Sequence, residues 1–85
     1  MDFFVYIIFS ESVNRYYVGH CGSLEDRIQR HRTRRSKYTK IAGDWELKWT
    51  KVFPSRGEAM AMEREIKKKK SRKYLEYLIA RDSGG

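Results

Sequence analysis

Five side chains of this 85-residue chain are of types and spacings that suit chemistry: Tyr6, Tyr17, Arg27, His31 and Glu63. Glu63 falls inside a helical stripe made by Ala59, Met62 and Ile66, whereas Glu58 and Glu65 of the same stretch cap or face outward. A carboxylate turned inward must be offset by a cation or a metal ion, because its desolvation is otherwise unfavourable. Arg27 repeats the pattern on an earlier helix: positions 24, 27, 28 and 31 share one face, which sets the guanidinium beside Leu24 and Ile28. His31 follows one turn later. The ordinary explanation is structural, with Arg27 and Glu63 as each other's buried partner and His31 as a half-exposed residue at a helix end, near the C-terminal dipole. The two tyrosines divide in the same way. Strand alternation groups Tyr6 with Phe4 and Ile8, and Tyr17 with Arg15 and Gly19. If Ile8 lies opposite Tyr17, both hydroxyls project from one side and converge; otherwise they are core rings with satisfied hydroxyls. Other chemistries fit poorly. His20 and His31 with Cys21 lack the spacing of a zinc site, no Gly-rich loop follows a strand, and a Ser or Cys triad has no third member.

The elements that must position these groups are legible from periodicity and caps. Residues 3–9 are an unbroken apolar run rich in β-branched and aromatic side chains, as a central strand requires. Residues 10–14 supply a turn, and residues 15–19 return as a second strand ending at Gly19, where the backbone bends or is closely approached. Ser23, with Asp26 three residues on, opens a first helix that ends near Arg32. Residues 33–44 read as a polar, basic loop. Residues 45–53 alternate Trp45, Leu47, Trp49 and Phe53 against Glu46, Lys48 and Thr50, which predicts a third strand with one wet face. Pro54 stops it, and Ser55 with Glu58 caps a second helix running to about Lys69. Ser71 caps a third helix with an apolar face of Tyr74, Leu75, Leu78 and Ile79, before a tail from Asp82 onward that is expected to fray. The order is ββαβαα, an α+β domain on a small sheet.

A chain of this length forms one domain and hides only about 60–65% of its unfolded surface, so every buried position counts. The formal net charge of +8 is concentrated: Arg30, Arg32, Arg34, Arg35, Lys37 and Lys40 lie within eleven residues, and residues 67–70 are an unbroken lysine run beginning at Lys67. Such clustering favours a polyanionic partner, nucleic acid first of all, over a mere aid to solubility. Membrane binding would need a basic helix with a continuous apolar face, which residues 30–40 do not make. The single Cys21 excludes an internal disulfide and points to a reducing, cytoplasmic setting. The opening apolar run has an acid at position 2 and no cleavage-type small residues, so it reads neither as a signal peptide nor, at its length, as a membrane span.

Taken together and in order, these residues resemble the GIY-YIG nuclease family, specifically its small single-domain bacterial members. The half-motifs stand as Phe4-Val5-Tyr6 and Tyr17-Val18-Gly19. A helix with Leu24, Arg27 and His31 follows, and then Phe53-Pro54-Ser55-Arg56 leads into Glu58, Ala59, Glu63, Ile66 and Lys67, so that the match spans about residues 3–79. The resemblance implies a three-stranded antiparallel sheet flanked by helices and a metal-dependent phosphodiesterase. It assigns Tyr6 and Tyr17 as the motif tyrosines, Arg27 as the catalytic arginine, His31 as an accessory on the same helix and Glu63 as the ligand of one Mg²⁺ or Mn²⁺. Under that assignment Tyr6 accepts the proton of the attacking water, its phenol acidified by nearby cationic charge. Arg27 grips the phosphate, Tyr17 orients water or phosphate, and His31 donates a hydrogen bond near the reacting group. Phe4 stands where the family has Gly, His20 follows the second half-motif, and Asn14, in the turn, stands in for none of the downstream asparagines of some members. The implied activity is cleavage of DNA with little sequence specificity, in repair or recombination. The alternative is a catalytically weak or inactive nucleic-acid-binding module of the same fold. A protein partner or a homodimer is left open.

Overall fold

A strand apolar on both faces belongs in the middle of a sheet, and β1 (Phe3–Ser10) takes that place. The computed structural model describes residues 2–34, 39–69 and 71–83. In it β1 pairs antiparallel with β2 (Arg15–Cys21) on one side and with β3 (Glu46–Phe53) on the other, giving the sheet order β2-β1-β3. Helices α1 (Leu24–Arg32), α2 (Arg56–Lys69) and α3 (Arg72–Ser83) complete the order ββαβαα. The expected α+β architecture, a three-stranded antiparallel sheet with flanking helices, is the one observed.

The sheet buries two cores. On one face Val5, Ile7, Val18 and Trp49 pack with Ala59 and Ile66 of α2 and Leu78 of α3. On the other, Tyr6, Ile8 and Cys21 pack with Ile28 of α1 and with Ala42 and Trp45 of the loop before β3. Val5, Ile7 and Ile8 are wholly inaccessible, and side chains of this size each contribute about 1.5–3 kcal/mol on burial. The hairpin register sets Ile8 opposite Tyr17, so Tyr6 and Tyr17 share the α1 face. At the turn, Asn14 adopts a left-handed φ of 54°. The Asp44 carboxylate secures it, accepting from Ser10 Oγ at 2.5 Å and from the Ser12 amide at 2.9 Å.

The capping serines behave as their spacing requires. Ser23 Oγ accepts from the Asp26 amide, Ser55 Oγ from the Glu58 amide and Ser71 Oγ from the Tyr74 amide. Three expectations are corrected. The third strand does not keep one face wet and one dry: Ile7 pairs with Trp49 but Ile8 pairs with Leu47, so a bulge at Lys48 reverses the alternation. Trp45 thereby enters the α1-side core and Trp49 the opposite one. Strand β2 runs two residues past Gly19 to Cys21, so Gly19 serves close approach rather than a bend. The tail does not fray at Asp82, because α3 continues to Ser83 and the Asp82 carboxylate accepts from Trp49 Nε1, while residues 84 and 85 lie outside the described residues. Among the described residues no helix is long and apolar enough to cross a membrane.

Candidate active site

Tyr6 leaves β1 toward α1 and lies directly across from Gly19 of β2. A Cβ built on Gly19 would stand 2.5 Å from Tyr6 Oη and 2.7 Å from its Cζ. The phenol therefore lies over the β2 backbone, through space that only a glycine leaves empty. Among the described residues no glycine has a positive φ, so Gly19 is required for room and not for conformation. Tyr17, two residues earlier on the same face, brings its ring centroid to 6.5 Å from that of Tyr6.

His31 completes the cluster from α1. Its ring centroid is 5.7 Å from Tyr6 and 5.2 Å from Tyr17, and its Nε2 lies 2.9 Å from Tyr6 Oη. Far from being a half-exposed helix end, His31 is 1% exposed, because Thr39 and the loop leading to Trp45 close over it. Thr39 Oγ1 sits 2.5 Å from His31 Nδ1, and the Thr39 carbonyl accepts from Trp45 Nε1 at 2.8 Å. Burial first, and then the charges of Arg27 and Arg30, push the imidazole down to about 4, so it is neutral at pH 7. A neutral ring has one N–H, which couples its two bonds: whichever of Tyr6 and Thr39 donates to the ring, the other accepts.

This depressed value has a consequence for stability. Between pH 6.5, the ordinary value, and about 4, the unfolded chain binds a proton that the folded protein refuses. Stability is therefore fully present above pH 6.5 and falls as pH drops toward 4, by roughly 3 kcal/mol from this one group. Asp44, held down to about 2 from 3.8 chiefly by its hydrogen bond from Ser10, acts only below that window. Urea unfolding at pH 7 and pH 4.5 checks this. The His31→Gln variant is expected to lose most of the difference, and an unchanged difference in that variant would assign it to other groups.

The Tyr6 phenol shows a further correction. Burial raises it above the ordinary tyrosine value, the neighbouring Tyr17 adds to the rise, and the guanidinium of Arg27 lowers it without prevailing. In the resting protein Tyr6 is a protonated hydroxyl and not an acidified one. The charge of Glu63 also raises it, which places that carboxylate within electrostatic reach of the phenol.

Glu63 comes from α2, on the opposite side of the sheet, and its charge reaches the Tyr6 phenol past the edge strand β2. Its Oε2 is 3.3 Å from His20 Nδ1 and its Oε1 is 3.6 Å from Lys67 Nζ, one helical turn on. Lys67 Nζ in turn stands 5.7 Å from the Tyr17 ring centroid. The buried Arg27–Glu63 pair is thus absent: the inward carboxylate is offset by His20 and Lys67 instead. Among the described residues no carboxylate pairs with Arg27, which sits half-buried on α1 with its charge felt by Tyr6 and His31.

Of the basic residues expected to meet nucleic acid, Arg30, Arg34 and Lys40 are exposed. Arg32 is exposed too, but its Nε donates to the Trp45 carbonyl at 3.1 Å and so also ties α1 to the loop. Lys67 is engaged with Glu63, while Arg35 and Lys37 lie outside the described residues. Two partners escaped the sequence reading. His20 is separated from Glu63 by 43 residues, and the wholly buried Thr39 lies in a stretch whose composition reads as solvated loop.

The donor set bears on the implied metal ion. Among the described residues no three His, Cys, Asp or Glu side chains converge, so there is no closed cage of the structural-zinc kind. One partly exposed carboxylate at a groove fits Mg²⁺ or Mn²⁺, ions that keep water and take phosphate oxygens in their remaining positions.

Two tyrosines, a histidine and an arginine thus gather on one side of a small α+β sheet, with a helical glutamate on the other face beside the edge strand β2. The chain matches the family model described as GIY-YIG catalytic domain over residues 2–75, and it belongs to that family. It is 34% identical over 85 residues to the UPF0213 protein BH0048 of Halalkalibacterium halodurans, covering 99% of this chain and 88% of that protein. To the UPF0213 protein OB0043 of Oceanobacillus iheyensis it is 40% identical over 52 residues, 60% of each chain. The solution NMR structure of BH0048 matches this fold with a TM-score of 0.61, again over 99% of this chain and 88% of that one.

Proposed function

We propose that this chain is a divalent-metal-dependent nuclease that hydrolyses phosphodiester bonds in DNA with little sequence specificity. The observation that carries the reading is the hydrogen-bonded Tyr6–His31 pair, 2.9 Å apart, beside an arginine without a carboxylate partner among the described residues. A half-buried guanidinium whose charge reaches the Tyr6 phenol, with no carboxylate beside it among the described residues, is poorly explained as a core contact and well suited to pair with a scissile phosphate. Arg27 receives the phosphate through a bidentate pair of hydrogen bonds and offsets the charge that grows on its oxygens. Glu63 holds the metal ion with His20 beside it, and the ion supplies Lewis-acid polarisation of the phosphate when bound.

Tyr6 takes the proton of the attacking water. Because its phenol is raised, it does so only as its own proton passes to His31 Nε2 in the same step, with His31 Nδ1–H donating to Thr39. His31, neutral at rest, takes that proton once the anionic phosphate on Arg27 offsets the cationic charge that, after burial, lowers it, and returns it to solvent after cleavage. The water oxygen bonds to phosphorus, the sugar–oxygen bond to phosphorus breaks, and the departing oxygen takes a proton from solvent. Tyr17 orients the water or the phosphate. Sequence-independent affinity comes from Arg30, Arg34 and Lys40 on the phosphate backbone, so binding weakens steeply with salt.

The test is a nicking assay on supercoiled and branched DNA with Mg²⁺, Mn²⁺ or a chelator. Wild type is expected to cleave with metal only. Arg27→Lys, which keeps the charge but not the fork, is expected to retain roughly 1% of the rate or less. Salt-sensitive binding without cleavage in any metal would instead establish the catalytically inactive nucleic-acid-binding module.

A further inference from the structure

The edge strand β2, the C-terminal turns of α2 and the first turn of α3 border an open groove of about 420 Å³, within the range of about 300–1,000 Å³ typical of small-molecule sites. Its floor is apolar, made by Val18, Ile66 and Leu75, and its rim carries Arg15, Lys67 and Arg72 with no carboxylate among the described lining residues. Arg72 is held before any ligand arrives. Its guanidinium lies 5.1 Å from the Tyr16 ring centroid and 5.7 Å from that of Phe9. It also donates to Asn14, to Oδ1 at 2.9 Å and to the carbonyl at 3.3 Å, and its Nε meets Glu76 Oε2 at 3.4 Å. This accounts for the turn asparagine, which the catalytic reading leaves without a task. Tyr17 and Lys67 line the groove and also border the candidate active site, so the two sites adjoin.

A cavity with an apolar floor, a fixed planar cation and further cations on its rim has the chemistry of a nucleotide: a flat, weakly polar ring attached to an anion. We propose that this groove holds one unpaired nucleotide of the bound strand, its base against the Arg72 guanidinium and the side chains of Leu75 and Ile66, its phosphate against Lys67 and Arg15. Guanidinium planes and aromatic rings stack bases irrespective of sequence, which agrees with a protein that reads structure more than sequence. The preferred substrate class is then DNA that presents an unpaired nucleotide next to the scissile bond, as single strands, bulges and flaps do. The proposal rests on the nuclease reading for the fate of the strand but not for its capture.

Binding is measured by fluorescence anisotropy in chelator at low salt, where cleavage plays no part. The probes are a fully paired duplex, the same duplex with one bulged thymidine, and the same duplex with a bulged abasic residue. The thymidine bulge is expected to bind roughly tenfold more tightly than the other two. Arg72→Lys is expected to erase that preference while still binding the paired duplex. In wild type, the methyl signals of Val18, Ile66 and Leu75 are expected to shift on adding the thymidine bulge and to stay in place with the abasic one. Equal affinity for the thymidine and abasic bulges, or methyl shifts absent from these three residues, would overturn the proposal. So would shifts that follow protein concentration without DNA, which would give the groove to a second copy of the chain. Preference for the bulge without cleavage in any metal would sink the nuclease reading and leave this one standing.

Discussion

Glu63→Gln is expected to remove cleavage, to below roughly 1% of wild type, while the fold survives with little change. The two effects come from different sources and their sizes separate them. In the metal-free protein the carboxylate has His20 at 3.3 Å and Lys67 at 3.6 Å, with side chains 26% and 52% exposed, so solvent screens both contacts. Such pairs are worth about 0–1 kcal/mol, and a domain of this size loses about 4–8 °C of melting temperature per kcal/mol. A metal ligand at a phosphoryl centre contributes several kcal/mol to the transition state, and every 1.36 kcal/mol is about tenfold in rate. Thermal unfolding and the nicking assay on the same preparation therefore discriminate. A fall in melting temperature of about 15 °C or more, with activity lost in proportion, would mark Glu63 as the centre of a structural ion cluster. Undiminished cleavage would remove it from the metal site altogether.

How far the sequence reveals the site depends on the range over which each feature is determined. Ser23, Ser55 and Ser71 cap helices through bonds to amides three residues on, so spacing along the chain is enough to find them. The central strand is legible because inaccessibility on both faces leaves a continuous apolar run, and the hairpin register then makes the two tyrosines neighbours. The features that were missed need a partner far away in sequence. The bulge at Lys48 is invisible to alternation, since a period of two carries no record of where one residue is skipped, and it sends Trp45 and Trp49 to opposite cores. Helix geometry set Arg27 and Glu63 on inward faces but not on the same side of the sheet. The partners of Glu63 are instead a strand histidine 43 residues away and a lysine on its own helix. The raised phenol of Tyr6 follows from enclosure by His31, Tyr17 and the loop around Thr39, which composition alone presents as a solvated basic segment.

Gly19→Ala is the substitution expected to cost the fold and the site together, although it adds a single methyl group. The backbone tolerates it, since Gly19 does not use a positive φ. The whole cost is therefore steric and falls on Tyr6, whose Oη, Cζ and Cε1 would lie 2.5, 2.7 and 3.2 Å from the new carbon. A flexible side chain would step aside, but this ring is 1% exposed, bonded to His31 and flanked by Tyr17. Overpacking of that kind costs about 1–3 kcal/mol, and displacing the phenol forfeits about 1 kcal/mol more with its hydrogen bond to His31. A fall in melting temperature of at least roughly 10 °C follows, with cleavage lost even at temperatures where the variant remains folded. Adding Tyr6→Phe is expected to relieve only the contact with Oη, because Cζ stays within 2.7 Å, whereas adding Tyr6→Val removes the ring and restores part of the melting temperature. If Gly19→Ala instead melts within 2 °C of wild type, roughly the error of such a measurement against the 4–8 °C per kcal/mol expected of this domain, the phenol does not cross β2 there. Tyr6 and Glu63 would then have no common edge at which to meet a phosphate.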